Sequence, residues 1–282
     1  MRAKWKSPSG WNESNVMLTD AYVATSIARR LIARIQATHE RRRISVFSGP
    51  PGIGKTTAID VACSRRPDEM VVVKIARQNA KEVLVLQHLL EGLRRLGGSS
   101  LKHAPTSLWE LRQKIYSTMC HWAGVDADAV RQGEHEPGKL GRLTVIFDEA
   151  QNLSRESIDA LRYWNDTDRC YAPFPLGLVF VGNSEFSLAG GRNSVISAAV
   201  ADRALYVQTL AYDELTDEDL RLFISARADA EPDAVAMIIR SFGGPRTVRS
   251  LRRVADLLEE LAETADGESI NQATVRGVLQ IA

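Results

Sequence analysis

Two groups of residues in this chain have the types and spacing to act together. The first is Gly49, Pro50, Pro51, Gly52, Ile53, Gly54, Lys55, Thr56 and Thr57, which fits G-x-x-x-x-G-K-[ST]. In such a loop the glycines let backbone N–H groups turn toward phosphate oxygens, and a helix N-terminus just beyond adds partial positive charge. Lys55 is the expected cation for the β- and γ-phosphates, and the Thr56 hydroxyl the expected Mg²⁺ ligand. The second group is Asp148 and Glu149, at the end of the apolar run Leu143, Thr144, Val145, Ile146 and Phe147. Asp148 is expected to hold Mg²⁺ through water, and Glu149 to polarise an attacking water as general base. Together the two groups describe hydrolysis of a nucleoside triphosphate, with ATP and Mg²⁺ as the expected cofactors. An acceptor-side base, which a small-molecule kinase needs, is not what adjacent Asp and Glu provide.

The elements that must position these groups are legible around them. Ile44, Ser45, Val46 and Phe47 read as a buried strand, and residues 57–63 have helical apolar spacing, so strand, loop and helix follow in the required order. Residues 70–75 and 143–149 read as further buried strands, and residues 176–181 as another, ending at Gly182 and Asn183. A strand delivers its last residues to the carboxyl edge of a parallel sheet, where nucleotides bind in open α/β folds. Asn183 is therefore a candidate to orient the lytic water, the sensor 1 role, or else a turn residue before Ser184. A last strand over 204–207 follows Arg203, the first choice for an arginine finger acting on a neighbour's γ-phosphate, with Arg192 as second choice. Either arginine also reads as an ordinary surface charge.

Helices are expected over 21–39, capped by Thr19 or Asp20, over 81–96, and after Ser107, with a mobile acidic insertion over 125–142. His135 between Glu134 and Glu136 reads as solvated in that composition. The basic end of the first helix, with Arg29, Arg30, Arg34, Arg41, Arg42 and Arg43, reads as a solvated face or as a phosphate-contacting patch. No strand pattern follows Val207, so a helical lid is expected over 212–282, with a capping box at Thr216 and Asp219 and with Pro232 opening a helix. A third lid helix is expected over 246–261, which places Arg246 in its first turn as a sensor 2 candidate. The α/β domain is then 19–211. Residues 1–18, with Lys4, Trp5, Lys6 and Trp11, read as an extended or mobile basic arm that docks on DNA or a neighbouring subunit, or as a tail whose tryptophans pack on the body.

The chain has 282 residues and a formal net charge of +1, so nucleic-acid binding must come from local patches. Three distant cysteines, Cys63, Cys120 and Cys170, fit neither a disulfide framework nor a zinc site and suit a reducing cytoplasm. No apolar stretch approaches the roughly 20 residues that span a membrane.

Taken together, GPPGIGKTT, VIFDEAQNL, FVGN, ADR before a strand and GGPR in a helical region resemble an AAA+ ATPase, a P-loop NTPase with a parallel sheet flanked by helices and a small helical lid. RRISVFSGPPGIGKTTA, VVVKIARQNAKEVLVLQHLL and VIFDEAQNLSRESIDALR look like the DNA-transposition ATPases phage Mu B, TnsC and TniB. That resemblance implies an ATP-dependent protein that assembles as a ring or helical filament on duplex DNA and recruits a transposase. It assigns Lys55 and Thr56 to phosphate and Mg²⁺, Asp148 and Glu149 to Mg²⁺ and hydrolysis, and Asn183, Arg203 and Arg246 to sensor 1, finger and sensor 2. The stretch before Thr19 is too short for the N-terminal helix-turn-helix domain of Mu B, so the plan looks closer to a compact TnsC or TniB. Arg77, Lys81, Lys102 and His103 are candidate DNA contacts, through phosphates and with steep salt dependence. Two alternatives remain open. The DEAQNL spelling is shared with secretion ATPases of the ExeA type and with archaeal replication initiators, and a nucleotide-gated scaffold with slow turnover is a third reading.

Overall fold

The computed structural model describes residues 22–76, 80–97, 107–134, 140–166, 172–184, 195–244 and 247–280. Five short strands carry the fold: β1 Ile44–Ser48, β2 Met70–Lys74, β3 Thr144–Asp148, β4 Gly177–Gly182 and β5 Ala204–Thr209. They form one parallel sheet in the order β2-β3-β4-β1-β5. The three central strands, β3, β4 and β1, are buried on both faces because helices cover both. Val145, Phe147, Leu178 and Phe180 pack on one side with α3 (Glu82–Gly97), α4 (Leu108–Trp122) and α6 (Arg155–Arg162). Ile146, Val179 and Val181 face the other, against α1 (Ser26–Arg41) and α2 (Lys55–Ser64). The alternation along β3 and β4 follows from the two-residue period of a strand.

Register decides where the chemistry goes. Lys74 pairs with Asp148, Asp148 with Val181, and Ser48 with Gly182. The residues that follow β3, β4 and β1 therefore emerge side by side at one edge of the sheet. The crossover that places β4 between β3 and β1 is what brings Asn183 between Glu149 and the loop at Gly49.

Beyond β5, helices α8 (Asp217–Ser225), α9 (Pro232–Ser241), α10 (Leu251–Thr264) and α11 (Gln272–Leu279) enclose a separate apolar cluster around Phe223, Ile238, Val254 and Leu258. Ile27 of α1 and Ile53 of the glycine-rich loop belong to that cluster. Thr216 and Asp219 form the expected capping box, and Pro232 occupies the first turn of α9. Among the described residues, no helix is long and apolar enough to cross a membrane.

Three expectations need correction, and one further element was not expected. The first helix begins at Ser26 and not at Ala21, because the Thr25 hydroxyl accepts from the Ala28 N–H at 3.2 Å and caps it there; Thr19 and Asp20 lie outside the described residues. The acidic stretch 125–142 holds a short helix, α5 (Ala127–Arg131), capped by Asp126 and anchored by buried Val130. Another short helix, α7 (Ala198–Arg203), precedes β5. The third lid helix starts at Leu251 and not at Arg246, with residues 247–250 outside any helix.

Asp219 joins the two halves of this architecture. Its carboxylate is 2 % exposed and accepts from the Ser26 N–H and the Ser26 hydroxyl, each at 2.6 Å, and from the Thr216 N–H at 3.0 Å. Helix α1 has no acid in its own first turn, so Asp219 supplies the negative charge its N-terminus favours. Burial pushes the Asp219 pKa up, but the bonds from Ser26 and Thr216 outweigh it and hold the carboxyl below its usual range. Asp219→Ala is expected to lower unfolding free energy by about 2–3 kcal/mol, the scale of hydrogen bonds to a charged group. A depressed folded pKa contributes stability above the ordinary carboxylate pKa and loses it as pH falls through the folded value. Urea melts should therefore show the gap between wild type and variant closing on acidification.

Candidate functional site

The glycine-rich loop leaves β1 and enters α2 within six residues, so it must turn sharply. Gly52 and Gly54 do this at φ 76° and 90°, in the left-handed region that side chains avoid. Gly52 is also crowded, since a Cβ there would lie 2.2 Å from the Ser250 hydroxyl oxygen. The loop is clamped from the lid side. The Leu251 N–H, at the start of α10, donates to the Gly52 carbonyl at 2.8 Å, and the Tyr212 hydroxyl donates to the Pro51 carbonyl at 2.8 Å. The first N–H of α10, which has no partner within its own helix, is thus spent on the loop.

Lys55 Nζ donates to the carbonyls of Gly49 and Pro50 at 2.7 and 2.8 Å. Burial pushes its pKa down, while Glu149 and Asp148 nearby act in the opposite direction. The Thr56 hydroxyl donates to Asp148 Oδ2 at 3.2 Å. Asp148 is 3 % exposed, and burial is the main reason its pKa is raised; the Glu149 N–H, donating to Oδ1 at 3.0 Å, partly offsets this. Glu149 itself sits at φ 57°, a left-handed conformation rare for a residue with a side chain.

The turn that holds Glu149 is fastened on both sides. Asn152 Nδ2 donates to the Ile75 carbonyl at 2.8 Å, tying the turn to the end of β2. Gln151 Nε2 donates to Glu149 Oε2, and Gln151 Oε1 accepts from the Asn183 N–H at 3.0 Å, tying it to the end of β4. Asn183 is half-buried beside Glu149.

These groups line one cavity of about 570 Å³. The loop from Pro51 to Thr57 makes its floor with Asp148, Glu149 and Asn183, and the lid side contributes Phe223, Arg227, Leu251 and Arg252. Tyr22, Val23 and Thr25 close a third side. Sequence reading missed Tyr22, Arg227 and Arg252. Arg252 gave a signal only after the start of α10 was known, since it then occupies the first turn beside the loop. Arg246 and Arg192 lie outside the described residues.

Arg203 is elsewhere. It ends α7, and the next residue, Ala204, pairs with Ile44, the first residue of β1. It therefore sits at the opposite edge of the sheet from the loop, about 16 Å away along a five-residue strand. There its guanidinium is 3.3 Å from Asp166, and its carbonyl accepts from Arg43 at 3.0 Å. Arg41, Arg42, Arg43 and Arg162 surround it in a second, basic cavity of about 440 Å³. Contact between Arg203 and a nucleotide thus requires a second copy of the chain.

Of the candidate DNA contacts, Lys81 is exposed just before α3, while Arg77, Lys102 and His103 lie outside the described residues, as do His135 and the arm. Burial pushes the thiols of Cys63 and Cys120 up to about 12 and about 11, which disfavours the reactive thiolate form. Among the described residues, no three metal-binding side chains of the His, Cys, Asp and Glu types cluster.

A family profile described as AAA domain matches residues 38–188. The structure of the Aeropyrum pernix ORC2 protein in its ADPNP–ADP complexes is similar with a TM-score of 0.58 at 17 % identity, covering 97 % of this chain and 68 % of that one. The Thermotoga maritima RuvB Holliday junction branch migration motor is similar with a TM-score of 0.51 at 15 % identity, covering 92 % and 70 %. Cdc6p from Pyrobaculum aerophilum gives 0.57 at 15 %, covering 91 % and 66 %. At these identities the likeness is one of fold. No curated protein matches the sequence.

Proposed function

This chain belongs to the AAA domain family and is a nucleotide-binding ATPase, and from that premise we propose that ATP gates its assembly on duplex DNA, where it recruits or regulates a transposase. The observation that carries the reading is the convergence of Lys55, Thr56, Asp148, Glu149 and Asn183 on one cavity at the carboxyl edge of the sheet.

In this reading the loop Gly49 to Thr57 holds the triphosphate, and Lys55 leaves its two carbonyl partners for the β- and γ-phosphates. Thr56 and Asp148 present a hydroxyl and a carboxylate oxygen 3.2 Å apart, a hard oxygen donor set that fits Mg²⁺. Bound there, Mg²⁺ would neutralise charge on the phosphate oxygens. Glu149 takes the proton of the lytic water, and Asn183 orients that water. Arg203 serves the nucleotide of a neighbouring copy, so ATP joins subunits and hydrolysis loosens them. Arg192 is the second choice for that finger, and Arg246, as sensor 2, would add to the charge around the phosphates of its own chain; Arg252, in the first turn of α10, is a candidate for the same task.

The division into an arm over 1–18, an α/β domain over 19–211 and a lid over 212–282 belongs to this proposal, as does a cytoplasmic location. DNA would be held by its phosphates, with Arg77, Lys81, Lys102 and His103 as contacts. The resemblance of the motifs to Mu B, TnsC and TniB supports the transposition role. The likeness to ORC2 and Cdc6p favours a second reading, an initiator or loader acting on another partner.

Fluorescence anisotropy of labelled duplex DNA tests the reading. Tight, sequence-indifferent binding is expected with a non-hydrolysable ATP analogue and not with ADP, falling linearly in log K against log salt. Binding that ignores the nucleotide would overturn it.

A further inference from the structure

We propose that Gln151 is a positioning residue for hydrolysis: it aims the Glu149 carboxylate and couples it to the end of β4, where Asn183 sits. The inference rests on Glu149 being the general base.

Three observations carry it. Glu149 holds a left-handed backbone conformation at φ 57° although it has a side chain. Such a conformation is strained and persists only where the surroundings over-determine it. What over-determines it here is a short list: the Glu149 N–H on Asp148, the Asn152 N–H on the Glu149 carbonyl at 2.9 Å, and the Gln151 amide on the Glu149 side chain. Of these, only the Gln151 bond fixes the carboxylate itself.

The second observation is that one amide makes both bonds. Nε2 donates to Glu149 and Oε1 accepts from Asn183 at 3.0 Å. A primary amide can donate at one end and accept at the other with the two ends fixed about its plane. A carboxylate can only accept, and asparagine is one methylene shorter.

The third is that Gln151 otherwise sits in a turn with both flanks already committed. Ala150 is fully buried in the core, and Asn152 is tied to β2. Gln151 therefore adds a side-chain link between the end of β4 and the Glu149 carboxylate to the backbone pairing of β3 with β4. Nucleotide phosphates drawn toward Asn183 would be felt at the general base by this route, without a change in the loop that binds them.

Kinetics of the 282-residue chain separate this role from a merely structural one. Gln151→Ala is expected to lower kcat by about 10- to 100-fold, the scale of a misplaced catalytic group, with KM and ATP affinity unchanged within about twofold. Gln151→Glu keeps the acceptor for Asn183 and loses the donor for Glu149, so it should lose at least as much kcat as Gln151→Ala. An unchanged kcat, a raised KM at constant kcat, or full activity in Gln151→Glu would each overturn the proposal. Glu149→Gln, assayed alongside, keeps the two claims apart. If it retains turnover, Glu149 is not the base; if it is inactive while Gln151→Ala is normal, only the role of Gln151 fails.

Discussion

Glu149→Gln is expected to reduce ATP turnover by about 10²- to 10⁴-fold while leaving ATP bound, the loss that accompanies removal of a general base. The substitution is nearly isosteric, so the turn after β3 should survive it. The amide oxygen of the new side chain still accepts from Gln151, and the backbone bond from residue 149 to Asp148 is untouched. Nothing in the loop that holds the phosphates changes. The negative charge next to Lys55 disappears, which favours a polyanionic ligand. Phosphate release measured in steady state, with nucleotide affinity measured by titration of a fluorescent analogue, should therefore show a loss in kcat with affinity equal or higher. Turnover close to that of wild type would show that the proton goes to another group.

Lys55→Ala should have the opposite signature, with binding lost first. Each charge-assisted hydrogen bond contributes about 1.5–3 kcal/mol, and about 1.4 kcal/mol is a factor of ten. Loss of the contacts Lys55 makes to the phosphates is thus expected to weaken ATP at least about 100-fold, with turnover falling accordingly. The fold should tolerate the change. Lys55 is a half-buried cation whose charged form burial disfavours, and its present partners are two carbonyls of its own loop. Calorimetric titration should show the lost affinity, and a thermal melt should show an intact protein. ATP affinity that survives the substitution would mean that the loop does not hold the phosphates.

How much of this was legible in the sequence depended on how far apart the partners lie in the chain. The strand, loop and helix around Gly49 to Thr57 are contiguous, and both Asp148 and Glu149 follow one apolar run, so local pattern sufficed. Asn183 was reachable because it too ends a strand. The contacts that shape the cavity were not reachable. Tyr212 and Leu251 meet the loop across about 160 and 200 residues of chain, and Ser26 meets Asp219 across 193. Arg252 lines the cavity because α10 begins at Leu251, whose N–H is taken by the distant Gly52 carbonyl, a contact that no local pattern reveals. Short helices α5 and α7 were missed because five or six residues show too little periodicity to distinguish a helix from a polar loop. Arg203 was placed correctly before β5, but only the register with Ile44 reveals how far that is from the nucleotide loop of the same chain.

The measurement that tests the account most directly is sedimentation velocity of the Glu149→Gln chain mixed with duplex DNA, compared between ATP and ADP. ATP is expected to drive the chain into large DNA-bound assemblies that dissolve to free subunits in ADP, and Lys55→Ala should stay free in both. The same size distribution with either nucleotide would contradict the claim that ATP gates assembly on DNA.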